Sequence, residues 1–168
     1  MTIVRPAAAT LPCGSNEGSP LLRRAVGSDL NRVVEIQFAA YARNRELLGL
    51  EPLPLLVDYQ DIFTTHEVWL LETADKEVIA VLILELRPDD LLIFSVSTDP
   101  EKQASGIGRH LLAATDIRAR QLGRDSVRLY TGSTLQHLIG WYCRNGFTIE
   151  QIEQLDDRAI THMVKHLN

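Results

Sequence analysis

Hydrophobic residues recur along this chain with two periods, about 3.6 residues and about 2, and their succession predicts the elements. Leu21 to Val26 is a short apolar segment of strand type. Ser28 then stands where a helix N-cap is wanted, and Leu30, Val34, Phe38 and Tyr41 follow at helical spacing, predicting a helix to about Asn44. Pro54 suits the first turn of a second helix that carries Leu55, Tyr59 and Ile62 on one face. The pattern then shortens. Glu67 to Glu72, Val78 to Leu86 and Leu91 to Thr98 are apolar runs separated by Ala74-Asp75-Lys76 and Arg87-Pro88-Asp89-Asp90, which predicts an antiparallel meander. Because Val78 to Leu84 is apolar at every position, that strand is expected to be central and covered on both faces.

Helical spacing returns from about Gly106 to Leu122, with Ile107, Leu111, Leu112, Thr115, Ala119 and Leu122 as the buried stripe and Gly123 as the C-cap. Ser126 to Thr131 reads as a strand. Ser133 and Gln136 have capping-box spacing, and Leu135, Leu138, Ile139 and Tyr142 form the inner face of a last helix ending at Gly146. Phe147 to Leu155 and Ala159 to Leu167 close the chain as a hairpin around Asp156-Asp157. The expected class is α/β of the α+β type: a mixed central sheet of about seven strands flanked by about four helices.

Composition refines this picture at a few points. The length of 168 residues fits one domain, read as residues 21–168, behind a tail at residues 1–20 rich in Ala, Gly, Ser and Pro. A net charge of -5 argues against a surface for nucleic acid, which needs a basic patch. Cys13 and Cys143 form no metal-ligand spacing and read as free thiols. The longest apolar run is too short for a membrane span and the N-terminus carries no continuous apolar core of a signal peptide, so a cytoplasmic protein is expected.

The segment Gln103-Ala104-Ser105-Gly106-Ile107-Gly108 lies between a predicted strand and a predicted helix. A diphosphate needs several backbone N–H groups converging on one hollow, the positive end of a helix, and no Cβ in the way. Gly106 and Gly108 meet the last condition, and Arg109 adds charge. The same pair of glycines would serve equally as a plain tight turn. Neither a P-loop nor a complete dinucleotide fingerprint is present, because no Gly-Lys-Ser/Thr and no third glycine follow at the required spacing.

The stretch Val96-Ser97-Thr98-Asp99-Pro100-Glu101-Lys102-Gln103-Ala104-Ser105-Gly106-Ile107-Gly108-Arg109 resembles the coenzyme A-binding motif of GNAT acetyltransferases. Downstream, Trp141-Tyr142-Cys143-Arg144-Asn145-Gly146-Phe147 resembles that family's second motif, in which a helix ends in Tyr-x-x-x-Gly-Phe. The resemblance implies transfer of an acetyl group from acetyl-CoA to a primary amine, with no metal. It implies a splay between the fourth and fifth strands, pantetheine against the backbone of Val96, Ser97 and Thr98, and a pyrophosphate on Gln103, Ala104, Ser105, Gly106, Ile107, Gly108 and Arg109. It makes Tyr142 the general acid, a role that competes with plain core packing.

The chain departs from the family at two places. The strand before the loop carries no carboxylate, so Glu85 on the neighbouring strand is the nearest candidate base, with His110 and His137 as alternatives or ordered water in their place. The last helix opens on Leu135 where the family often has Asn or Ser. Trp69, Tyr41, Tyr59 and Phe63 are candidates for the acceptor side, and core packing is the competing reading for each. The acceptor remains open between small molecules and peptides. Terminal strands of such folds often pair between subunits, which makes a homodimer an expectation. The missing carboxylate leaves a second function open, a non-catalytic acyl-CoA sensor or interaction module.

Overall fold

The computed structural model describes residues 10–14, 20–102 and 106–168. Its strands are β1 (Thr10–Pro12), β2 (Leu21–Arg24), β3 (Glu67–Glu72), β4 (Val78–Leu86), β5 (Leu91–Thr98), β6 (Ser126–Gly132), β7 (Thr148–Gln154) and β8 (Ala159–His166). Its helices are α1 (Leu30–Leu48), α2 (Tyr59–Thr65), α3 (Ile107–Gln121) and α4 (Gln136–Arg144). The strands form one eight-stranded sheet in the order β1-β2-β3-β4-β5-β6-β8-β7. Every pairing is antiparallel except that of β5 with β6. Among the described residues no helix is long and apolar enough to cross a membrane.

Alternation along β3 and β4 sends side chains to two cores. Val68, Leu70, Val81 and Ile83 pack with Val33 and Ile36 of α1 and Ile62 of α2. Trp69, Leu71, Ala80, Leu82 and Leu84 pack with Leu111, Leu112 and Ala114 of α3 and Ile139 of α4. Thus β4 is covered on both faces, as its unbroken apolar run predicts.

Several boundaries differ from the sequence reading, for identifiable reasons. Thr10–Pro12 is not part of a tail but an edge strand on β2, with Leu11 and Cys13 buried in the α3-side core. Burial pushes the Cys13 thiol up to about 11, so it is a packing group rather than a reactive one. Residues 1–9 and 15–19 of the predicted tail lie outside the described residues. Ser28 sits inside a 3₁₀ turn, Gly27–Asp29, that precedes α1, and α1 continues past Asn44 to a left-handed Gly49. The inner face of α1 is Val33, Ile36 and Gln37, while Phe38 is exposed beneath the guanidinium of Arg45. A buried glutamine in the apolar stripe is what rotates that face away from the predicted one. Pro54 belongs to a separate 3₁₀ turn, and α2 begins later, where the Asp58 carboxylate accepts from the Gln60 N–H (2.8 Å).

Glu67 ties the meander to α3. Its carboxylate accepts from Trp69 Nε1 (3.0 Å) and from Arg118 Nε and Nη2 (2.9 and 2.6 Å). Burial acts to raise its pKa, but the bonds from Arg118 and Trp69, with the Arg118 and Arg24 charges, hold it below the ordinary glutamate value. A depressed carboxylate stabilises the fold above the unfolded-state pKa, and that contribution is lost as pH falls through the lower folded value. Glu67→Gln is expected to cost about 3 kcal/mol at neutral pH. It should also flatten the acid limb of the stability profile. Urea unfolding at neutral and acid pH measures both effects, and parallel profiles for the two proteins would refute this role.

Candidate active site

The site begins with one extra residue in β5. Ile83 pairs with Ser95 and Leu84 with Ile93, so Phe94 has no partner on β4 and forms a bulge. Without it, Phe94 and Ser95 would point to opposite faces. With it, both face the α1 side: Phe94 packs with the α1–α2 core and Ser95 bonds to Gln37 of α1. The parallel pairing of β5 with β6 also stops there, running only from Leu91–Val127 to Ile93–Leu129. Beyond Ile93 the strands part, and a cleft of about 710 Å³ opens between Phe94–Thr98 and Leu129–Gly132. Tyr41 of α1, Trp141 and Tyr142 of α4, Pro52–Pro54 and Arg158 complete its walls.

At the end of β5, Asp99 sets the path of the chain. Its carboxylate accepts from Arg32 Nη2 (2.7 Å) and from the Glu101 N–H (3.0 Å), and Arg32 also donates to the Val78 carbonyl. Gln103, Ala104 and Ser105, candidate phosphate ligands, lie outside the described residues. Gly106 follows with φ 98°, a left-handed conformation that disfavours any side chain, and its carbonyl accepts the first bond of α3 from His110 N–H (3.0 Å). The N–H groups of Ile107, Gly108 and Arg109 precede that first bond and need partners from outside the helix. Gly108 is small for a further reason: a Cβ there would lie 2.9 Å from Trp141 Cζ2, so the glycine lets α3 and α4 approach. Beside it a second recess, about 390 Å³, is lined by Gly106, Gly108, Arg109, Trp141, Arg144 and Asn145.

Val96 turns its side chain into the α3-side core, Ser97 donates to Gln37 Oε1, and Thr98 pairs with Ala80. Among the described residues, β5 has no strand partner on its β6 side from Phe94 to Thr98. That leaves a row of peptide groups along the cleft.

Tyr142 is held by the end of its own helix. The Phe147 and Asn145 N–H groups both donate to the Tyr142 carbonyl (3.1 and 2.9 Å), and the ring packs edge-on against Trp141 and Phe147. This explains the spacing Tyr-x-x-x-Gly-Phe: the chain reverses at Gly146 so that Phe147 returns to both the backbone and the ring of Tyr142. Burial pushes the phenol up to about 12, with no hydrogen bond offsetting it. Tyr142, which lines the cleft, is therefore neutral at physiological pH.

The other candidates separate. Glu85 is not among the residues lining the cleft; its carboxylate lies 3.9 Å from His66 Nε2, and its charge acts on Tyr130, which does line it. His137 lines the cleft, while His110 stands next to Gly106. Trp69 belongs to the opposite, α3-side core, and Phe63 packs against the α1–α2 core. Leu135 is the N-cap of α4 and is buried, so this position offers no polar group. The capping box predicted at Ser133 is replaced: Ser133 Oγ pairs with Thr161 Oγ1 (2.8 Å), and Gln136 donates to the Ser133 carbonyl (2.7 Å).

Three contributors escape sequence reasoning because their partners are remote. Arg32 reaches Asp99. Arg158 donates from its Nη1 to the Glu51 carbonyl (2.8 Å), fastening the β7–β8 turn to the loop after α1. Gln37, fully buried, donates from Nε2 to Tyr59 Oη (3.1 Å) and Ser95 Oγ (2.8 Å). The helical spacing of Leu30, Val34, Phe38 and Tyr41 passes over Gln37, so nothing in the sequence reading marked it.

The comparisons with known proteins agree with this architecture. The sequence is 26% identical over 108 residues to the uncharacterized N-acetyltransferase YvbK of Bacillus subtilis (strain 168), covering 64% of this chain and 68% of that one. The ribosomal-protein-S18-alanine N-acetyltransferase of Escherichia coli superposes with a TM-score of 0.69 at 18% identity, covering 87% of this chain and 92% of that one. The PaiA N-acetyltransferase of Thermoplasma acidophilum, solved in complex with coenzyme A, gives 0.66 at 16% identity, covering 86% and 97%. The family profile described as the acetyltransferase (GNAT) domain matches residues 64–149, the meander, the cleft strands, α3 and α4 together. The chain belongs to the GNAT acetyltransferase family.

Proposed function

We propose that this protein transfers an acetyl group from acetyl-CoA to a primary amine. The observation that carries the reading is the opening between β5 and β6. The edge of β5 from Val96 to Thr98, paired with β4 on one side and without a strand partner on the other, runs beside a cleft large enough for a thioester arm and an acceptor together. It leads directly to the N-terminus of α3, whose first amides have no helical acceptor. The amides of Ile107, Gly108 and Arg109 would take the pyrophosphate there, with Arg109 and Arg144 of the second recess supplying positive charge. The coenzyme A complex of the Thermoplasma neighbour supports the same ligand class.

Acetyl-CoA supplies an activated acyl group whose leaving thiol has a pKa of about 8.5. The amine's nitrogen forms the new C–N bond, the C–S bond breaks, and the proton lost by the amine is balanced by the proton gained at sulfur. Tyr142 is the group in the cleft suited to protonate sulfur, since a neutral phenol can give its proton to a nascent thiolate when water is scarce. The Val96–Thr98 backbone is the natural source of an N–H for the oxyanion. No carboxylate is required if the amine enters neutral and the proton it loses on attack passes through water to restore the Tyr142 phenol, and this reading assigns Glu85 no part in the chemistry.

Tyr142→Phe is expected to lower turnover about 10²-fold while calorimetry shows acetyl-CoA affinity unchanged; a variant as fast as wild type would remove Tyr142 from the mechanism. Because burial holds the phenol protonated, up to about 12, the acid remains available as pH rises. The wild-type rate should therefore not fall between pH values of about 8 and 10, where an unperturbed tyrosine begins to ionise. A decline in that window, absent from Tyr142→Phe, would show the phenol ionising in its ordinary range and contradict its burial; a decline that persists in Tyr142→Phe would assign the acid to another group. If wild-type protein binds acetyl-CoA but releases no CoA with any member of an amine panel, the transferase reading fails and a sensor takes its place.

A further inference from the structure

All four tyrosines of the chain gather around this cleft or immediately behind it, yet the transfer chemistry above uses only Tyr142. Tyr41 lines the cleft from α1, and its hydroxyl lies 3.0 Å from Ser95 Oγ at the bulge of β5. The proton assignments behind that contact can be worked out from the one fixed end of the network. Tyr59 O–H donates its only proton to the Pro54 carbonyl (2.7 Å), so its oxygen can only accept from Gln37. That requirement orients the amide: Nε2 faces Tyr59 and Ser95, and Oε1 accepts from Ser97. Ser95 Oγ therefore accepts from Gln37, and its own proton has two destinations, Tyr41 Oη or the already engaged Gln37 Oε1 (3.2 Å).

The consequence falls on Tyr41. When Tyr41 donates to Ser95, its remaining lone pairs are available to the cleft. When Ser95 donates to Tyr41, the phenol proton is available instead. Every other member of the network is committed, so this hydroxyl is the end of the chain that can adapt to a ligand. Burial raises the Tyr41 pKa strongly, which keeps it a neutral group that accepts or donates without carrying charge. It stands on the α1 side of the opening, whereas Tyr142 stands on the α4 side.

We propose that Tyr41 is a catalytic residue on the acceptor side: its oxygen, backed by Ser95 and Gln37, accepts a hydrogen bond from one N–H of the attacking primary amine and so turns the nitrogen lone pair toward the thioester. The proposal rests on the transferase reading. Gln37, Ser95 and Tyr59 are positioning residues, which act by holding Ser95 Oγ where it can take the Tyr41 proton and so leave the phenol's lone pairs to the cleft. Pro54 links this arrangement to the loop that walls the acceptor end of the cleft, so the group that orients the amine and the wall that selects it are held by one hydrogen-bonded unit.

The test uses hydroxylamine, a nucleophile small enough to enter any acceptor pocket, and reads CoA thiol release at saturating acetyl-CoA. Tyr41→Phe, which keeps the ring and its packing, is expected to lower kcat/KM for hydroxylamine about tenfold, the value of one hydrogen bond. Acetyl-CoA affinity by calorimetry should stay the same. Ser95→Ala should produce part of that loss, and the double variant should be no slower than Tyr41→Phe, because both changes break one unit. The proposal is overturned if Tyr41→Phe matches wild type. It is equally overturned if acetyl-CoA affinity falls in step with the rate, or if the two single losses multiply in the double variant. Wild-type protein that binds acetyl-CoA but does not turn over hydroxylamine would sink the transferase reading and Tyr41's role with it. A fast wild type with an equally fast Tyr41→Phe sinks the Tyr41 role alone.

Discussion

One unpaired residue, Phe94, governs the active half of this molecule. A β-bulge adds a residue to one strand without extending its partner, and here it falls where β5 would otherwise continue alongside β6. Pairing with β6 ends at Ile93, and the next peptide groups of β5 are left facing a cleft. The same extra residue turns Ser95 toward α1, so the opening in the sheet and the polar anchor beneath it have a single origin.

An opened sheet would be a weak place in the fold without supports on both sides. On the α1 side, Gln37 satisfies Ser95, Ser97 and Tyr59 at once, which a buried amide must do to offset the loss of water. Such a network, fully satisfied, fixes positions more sharply than apolar packing alone. On the α4 side, Gly108 admits the Trp141 ring, and the backbone of Phe147 and Asn145 locks Tyr142. The cleft is thereby walled by two helices, with the Tyr41 hydroxyl bonded to Ser95 on one side and the Tyr142 ring packed against Trp141 and Phe147 on the other.

Legibility in the sequence followed the range of the interactions. The unbroken apolar run Val78 to Leu84 marked the central strand, and Ile107, Leu111, Leu112, Thr115 and Ala119 marked the buried face of α3, because periodicity reports local burial directly. The inner face of α1 was misplaced by one position around the helix. Its buried Gln37 is polar for a reason that lies 58 residues away, in Ser95. Likewise Thr10–Pro12 is too short to carry a pattern and becomes a strand only because β2 offers it an edge. At the site, the glycines and Tyr142 belong to contiguous motifs and could be named in advance. Tyr41 could be named only as one of four aromatic candidates, and its bond to Ser95 could not be foreseen; Arg32 and Arg158 act across the fold and could not be named. Glu85 was nameable only as the carboxylate on the neighbouring strand; that its side chain lies by His66, with its charge reaching Tyr130 of the cleft lining, depends on the fold.

Amide hydrogen exchange with and without acetyl-CoA tests the central claim, that the unpaired edge of β5 and the first turn of α3 form one ligand-binding track. The account predicts slowed exchange confined to Val96 and Thr98, whose amides alternate with those that face β4, and to Ile107–Arg109, which among the described residues have no acceptor in α3. Slowed exchange elsewhere in the sheet with these two segments unchanged would contradict it.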